Sequence, residues 1–358
     1  MNLVLVLSLF FFYYLFGGSR CDHNKGVRKR QVILMGFSLF IFAALRSYEV
    51  GTDLPSYFSS YQEDGSMSLR DILYYRQGRD PFFHLFLHVL YQVSPNPQLM
   101  LVTIGAVVAL GFSYLAYHEK GNVLLIYMLF VGLRMYSFTL SGLRQAMALG
   151  IVFIAYVMLR KKRYGLYFAL TLFAVLFHTS ALIFILAYPI HKIKNTPLFI
   201  VVTLSIGIIN LVAGGLVADI LRNIAFEERF DSYDLNREFQ GGMTFVIYFI
   251  VFVFTIGMYK TMKIRDASYP ESLRMATLGF VLVFIGQTVE NVFRLAYYFN
   301  YASILIIPQL IDGLMYNKIS TKAAYFIVAF IFAAQYLILG TGPGTENYSF
   351  FWEVPTLV

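Results

Sequence analysis

The chain has 358 residues, 58% hydrophobic and 13% charged, with a formal net charge of +8. That balance excludes an ordinary soluble domain and points to a membrane protein. The basic residues sit in short clusters between apolar runs, so the positive charge reads as membrane orientation and not as a nucleic-acid surface. The single cysteine, Cys21, excludes an internal disulfide and a Cys-rich metal site.

In chain order, apolar runs cover 2–16, 31–45, 82–93, 98–117, 122–136, 140–159, 164–177, 181–190, 198–217, 243–259, 273–289, 294–311 and 323–339. The first lacks a basic leader region and a small-residue cleavage site, so it reads as a span. Together the runs predict an all-α polytopic membrane protein with about 11 to 13 transmembrane or re-entrant helices. It is expected to be a single membrane domain, 1–358, carrying loops at 47–80 and 219–241 and a C-terminal tail at 340–358. Basic clusters at 20–30, 160–163, 191–194, 260–265 and 317–322 predict the cytoplasmic side. The two loops and the tail then face outward.

Parity constrains the shorter runs. With basic clusters on both sides of 164–190, that stretch must cross an even number of times, as a hairpin turning near "FHTSA" (177–181). His178 then lies at the outer end. Between the outward 47–80 loop and the inward "RKKR" an odd number of crossings is needed, which makes the short run 82–93 re-entrant or interfacial. Arg144, in "SGLRQAMAL", also falls at the outer end of its helix, where Gly142 is placed to interrupt the run.

Polar residues recur at this predicted outer boundary: Arg46 and Asp53 around the first loop, Arg144 and Gln145, His178, and then Glu290, Arg294, Tyr297 and Tyr298 in "GQTVENVFRLAYYFNY". The last set is spaced by three or four and lines one helical face. Taken singly, each has a bland reading. Arg46 is a snorkelling anchor, Arg144 and Arg294 pair with Glu290 or Asp53 to hold helices together, and His178 is an interhelical hydrogen bonder. Taken together, three arginines on one side suggest an anion, because a planar guanidinium suits bidentate contact with phosphate oxygens. There is no GK[ST] phosphate loop, and His84 and His88, at i and i+4, lack a third metal ligand nearby.

The blocks "RSYEVGTDLPSYFSSY", "RDPFFHLFLHVL", "SFTLSGLRQAMALGIVFIAY", "RKKRYGLYFALTLFAVLFHTSALIFI" and "ENVFRLAYYFNYASILIIPQL", in this order, resemble the EpsG family of bacterial exopolysaccharide and capsule proteins, related to Wzy-type O-antigen polymerases. "GLRQ" and "FHTSA" are the most specific parts. The resemblance implies a GT-C-like glycosyltransferase in the bacterial cytoplasmic (inner) membrane, a multi-pass polymerase. It would join undecaprenyl-diphosphate-linked oligosaccharide repeat units at the outer face. It needs no cofactor, no metal and no nucleic acid; membrane lipids surround it and a chain-length regulator is a candidate partner.

On that reading Arg144, Arg294, Gln145 and Arg46 hold the diphosphate, with Glu290 and Tyr298 lining the substrate site. Asp53 or His178 takes the proton from the attacking hydroxyl. Tyr57, Tyr297, Tyr298 and Tyr348 are the expected sugar-stacking rings. The competing readings are a lipid-linked oligosaccharide flippase and an acyltransferase of the same pathway.

Overall fold

The computed structural model describes residues 25–76, 80–213, 242–287, 292–316, 344–345 and 348–354. Among them are fifteen α-helices, one 3₁₀ segment and no strand, as the apolar periodicity predicts. Glu290, the 2–16 run, the 219–241 loop and the 323–339 run lie outside the described residues. The helices cluster in two compact units, one formed from 1–185 and 328–358, the other from 186–327.

The first unit contains α1 (Lys25–Ala44), α2 (Leu54–Ser66), α3 (Leu69–Tyr75), α4 (Pro81–Val93), α5 (Gln98–His118), α6 (Val123–Gly132), α7 (Met135–Ser141), α8 (Leu143–Arg160) and α9 (Tyr164–Phe177). Two of these, α5 and α8, are long and apolar enough to cross a membrane. They approach with almost no side chain between them: a Cβ on Gly111 would lie 2.0 Å from the Gly150 carbonyl oxygen, and one on Gly150 would lie 2.8 Å from that of Val107. Lipid offers no hydrophobic driving force between helices, so close backbone contact and the dispersion it allows must hold them.

Helix α6 is apolar on every side and is buried from Val123 to Val131, as a helix enclosed by others should be. It bends by 55° into α7. The bend is at Arg134, a non-glycine residue with φ of 61°. Gly142 then separates α7 from α8, as the sequence predicts, and the chain turns back with Arg144 in the first turn of α8.

The opposite end of this unit is closed by polar contacts. Arg28 at the start of α1 donates to the carbonyls of Tyr117 (3.2 Å), Ala116 (2.6 Å), Glu119 and Gly121 (2.8 Å), capping the open carbonyls at the end of α5. Arg160 at the end of α8 pairs with Glu119. Arg28 thus does more than report topology: it is one charge of the basic 20–30 cluster turned inward.

Helix α4 is 13 residues, roughly 20 Å long, and buries Phe83, His84 and Leu87. That is short of the ~30 Å hydrocarbon core and in keeping with a re-entrant or interfacial element. After α9 the chain is extended at His178 and continues as a 3₁₀ segment, Thr179–Leu186. The Tyr167 hydroxyl donates to the Phe184 carbonyl (2.6 Å), so the segment folds back along α9 as a hairpin. A 3₁₀ turn rises about 2.0 Å per residue against about 1.5 Å in an α-helix, which lets few residues cover more depth.

The second unit contains α10 (Ala187–Lys192), α11 (Thr196–Val212), α12 (Met243–Gly257), α13 (Tyr259–Arg265), α14 (Tyr269–Ile285) and α15 (Val292–Tyr316). Helices α12 and α13 form a second bent pair, at 65°. Among the described residues, counting each bent pair as one span gives four candidates by length and composition. Several of the described apolar runs are cut by turns, and α1 carries Arg28, Lys29 and Arg30 in its first turns. Buried Arg274 on α14 donates to the Ile190 carbonyl (3.0 Å) and Thr196 Oγ1 (2.6 Å), tying α14 to the segments that flank it.

Candidate functional site

The site is built where the chain passes from α1 into the 45–53 loop. Arg46 is 1% exposed, and its guanidinium donates to the carbonyls of Ala43 and Leu140 (3.0 Å). Its backbone bridges to Phe350, and Ser47 is held by Ser349 through the main chain (2.9 Å) and through their hydroxyls (2.7 Å). Gly51, at φ +125°, sits against the Leu140 carbonyl oxygen, 2.7 Å from where a Cβ would be. Thr52 Oγ1 then pairs with Ser141 Oγ (2.9 Å), and the Asp53 amide donates to the same hydroxyl (3.3 Å). These contacts pin Asp53 beside the turn that starts α8.

Asp80 is the centre. It caps α4 at φ 47°, a left-handed conformation that Asp tolerates better than most side chains, and Pro81 follows at the first helical position. An ordinary capping aspartate would bond its own helix, yet this one makes no cap bond. Its side chain is fully buried and reaches elsewhere. Oδ2 accepts from His178 Nδ1 (3.0 Å) and Arg144 Nη1 (3.2 Å), and Oδ1 accepts from the Thr179 amide (3.1 Å). Burial by itself would raise the Asp80 pKa; the His178 hydrogen bond and charge, the Thr179 amide and the Arg144 guanidinium outweigh it and hold the carboxyl at about 2. The carboxylate is therefore ionised at neutral pH, and Nδ1 of His178 must carry the proton of their hydrogen bond.

That fixes the imidazole tautomer and leaves its Nε2 as the basic nitrogen. The His178 side chain is 14% exposed and Arg144 29%, so the cluster is buried at Asp80 and open at its other members. Arg144 lies within electrostatic reach of Tyr57, Asp80 and Asp53. An aspartate orienting a histidine, with a partly exposed arginine beside it, can accept a proton at Nε2 while presenting guanidinium donors to an anion.

The structure thus gathers Asp53, Arg144 and His178, as the sequence reading expects, and adds Asp80, which that reading misses. Gln145 is buried in the first turn of α8. Arg144 is paired with Asp80, whereas Arg46 is a buried cation whose Nη1 and Nη2 donate to backbone carbonyls while its Nε has no hydrogen-bond partner. Tyr348 is likewise packed, its hydroxyl donating to the Phe42 carbonyl (3.1 Å) and its ring against Phe42. Arg294 and Tyr298 lie on α15 of the second unit, Arg294 exposed, Tyr297 half-buried and Tyr298 fully buried.

Asp80 had one visible signal, an acidic residue before proline at the edge of an apolar run. Locally that pattern spells a helix cap, which hides a partner 98 residues away.

His84 and His88 are both held by Asp64. His84 Nδ1 meets buried Asp64 Oδ2 (2.6 Å), Arg76 Nε donates to Asp64 Oδ1 (3.0 Å), and His88 Nδ1 bonds the Asp64 carbonyl (3.0 Å). Among the described residues no group of three or more His, Cys, Asp or Glu side chains could hold a metal ion. This second cluster locks α2, α3 and α4 together.

Fold and site define a class first: an all-helical membrane protein with a buried aspartate joining a histidine and an arginine at one end of a helical unit. The chain belongs to the EpsG family, whose family model matches residues 29–351. Exopolysaccharide-related membrane chemistry is thereby its setting. Neither a curated protein nor a solved structure matches it.

Proposed function

We propose that this protein is a multi-pass polysaccharide polymerase of the bacterial cytoplasmic membrane, a glycosyltransferase with a GT-C-like architecture. It joins oligosaccharide repeat units carried on undecaprenyl diphosphate at the outer face. The observation that carries the reading is the Asp80 carboxylate bridging His178 Nδ1 and Arg144 Nη1. Family membership supports an exopolysaccharide setting for it.

In the proposed reaction His178 Nε2 takes the proton from the acceptor hydroxyl as that oxygen bonds to the anomeric carbon of the donor. The bond from that carbon to the diphosphate oxygen breaks, and the lipid diphosphate leaves with the electron pair. Charge grows on the leaving phosphate oxygens, and Arg144, already oriented by Asp80, stabilises it without reorganising. Between the two candidate bases the geometry favours His178, because an aspartate orients it. Asp53, half-exposed beside Arg144, is better placed to accept hydrogen bonds from sugar hydroxyls.

The test is polymer analysis in cells carrying His178→Ala, Asp53→Asn or Arg144→Ala, together with the lipid-linked pool. The reading expects His178→Ala and Arg144→Ala to abolish long polymer and to accumulate single repeat units outside the membrane. Accumulation on the inner side instead supports a flippase, and normal polymer lacking a substituent supports an acyltransferase. Normal polymer in both folded variants removes the proposal.

A further inference from the structure

Beside this site lies a group of rings that the proposed chemistry does not use. Phe350 and Trp352 stack in parallel, their centroids 4.5 Å apart and their planes within 5°, and Phe351 lies perpendicular to Trp352 at 5.0 Å and 79°. Trp352 is 59% exposed and Phe351 36%. The strap that carries them is fastened, not trailing. Arg46 bridges Phe350, the Phe351 amide donates to the Leu45 carbonyl (2.9 Å), and the Phe350 amide donates to Glu353 Oε2 (2.7 Å).

We infer that the Trp352 face, with exposed Glu353 beside it, is a carbohydrate-binding platform for the glycan chain. The inference rests on the polymerase reading for its ligand, and it names a subsite of that reaction. A pyranose presents a face of electropositive C–H groups that fits the negative face of an indole, while its hydroxyls seek acceptors and donors at the ring's edge. Here one face of Trp352 is taken by Phe350 and the ring is braced by Phe351, which fixes the platform before any sugar arrives and lowers the cost of binding. Glu353 and the indole Nε1–H supply an acceptor and a donor.

Continuity with the chemistry comes through the loop. The strap holds Ser47, Gly344 accepts from the Gly51 amide (2.7 Å), and Thr52 and Asp53 bond Ser141, three residues before Arg144. An exposed tryptophan at a membrane protein's polar end is also a common lipid anchor. Ordered stacking and an adjacent carboxylate favour sugar, since an interfacial anchor needs neither, and an anionic headgroup would be repelled.

Trp352 is the chain's single tryptophan, so its emission reports this platform alone. The experiment titrates the full-length protein in nanodiscs with lipid-free oligosaccharides prepared by mild acid from the producing cell's own polysaccharide. A saturable change of emission is expected, with apparent affinity, read by calorimetry, falling at least about tenfold in Trp352→Ala and little in Trp352→Phe. Polymer made by Trp352→Ala should be shorter, with Trp352→Phe restoring length. No saturable change, or strong quenching by brominated lipid with no response to sugar, overturns the inference. If sugar binds while His178→Ala polymerises normally, the polymerase reading fails and the platform stands; if His178→Ala is dead and Trp352 stays silent, the reverse holds.

Discussion

Replacing Asp80 by asparagine keeps the volume of the buried side chain and removes its charge. The native carboxylate accepts on both oxygens, from His178 and Arg144 on one and from the Thr179 amide on the other. An asparagine has one acceptor oxygen. If it faces His178 and Arg144, its NH₂ meets the Thr179 amide donor to donor; if it is reversed, the NH₂ meets both cationic partners. The folded carboxyl is held at about 2 against an ordinary 3.8, which corresponds to ~2 kcal/mol favouring the ionised form. Hydrogen bonds to charged groups contribute about 1.5–3 kcal/mol each, so that figure is of the right order. Because the folded pKa is depressed, the stabilisation is complete above pH 3.8 and disappears only as pH falls towards 2. At neutral pH the variant therefore loses all of it, and for a chain of this length a fall in melting midpoint of roughly 3 °C is expected.

The effect on turnover is larger. Without the carboxylate, His178 has no fixed tautomer and Arg144 keeps only its Tyr57 hydrogen bond, so most of the general-base contribution, about 10²–10⁴-fold, is forfeited. The assay is polymer formation by purified protein in nanodiscs supplied with lipid-linked repeat units, beside a thermal melt of the same sample. Asp80→Asn with native polymer yield would refute the reasoning, whatever its melting point.

Three further outcomes follow from the same geometry. Arg144→Lys keeps the charge but loses the planar fork, so polymer yield should fall by about an order of magnitude or more while the protein still elutes as a folded species on gel filtration. Gly111→Ala puts a Cβ 2.0 Å from the Gly150 carbonyl and must push α5 from α8; a fluorescent fusion should show a loss of monodisperse protein, where Gly165→Ala, with nothing within 4 Å, should not. Since Asp80 stays ionised down to about 2, any acid limb of activity between about pH 5 and 8 belongs to an imidazole. Raising pH through that limb should increase activity, because the base must be neutral, and a limb found only near pH 3 would assign the role to a carboxylate instead.

The all-helical membrane class was legible because apolar runs and sparse charge leave few other structures open. The grouping of Asp53, Arg144 and His178 was legible too, since counting crossings between basic clusters puts them on one predicted side without coordinates. The roles of Arg46 and Tyr348 were not. Both sit at the predicted boundary, yet one turns its Nη1 and Nη2 to the carbonyls of Ala43 and Leu140 and the other bonds that of Phe42. Whether a polar side chain faces substrate or backbone depends on which carbonyls the fold leaves open, and spacing along one helix carries no trace of that.

By itself, then, the sequence determined the helical class, the family blocks and the places where helices stop, such as Gly142 and His178, because these are properties of local composition and backbone freedom. Tertiary structure alone decided that Asp80 turns from its own helix towards His178 and Arg144, that Arg28 closes the end of α5, and that Phe350 and Phe351 are fastened to Arg46 and Leu45. Each is a contact between residues tens to hundreds of positions apart, and its energy exists only once packing has excluded water and brought the partners within bonding distance.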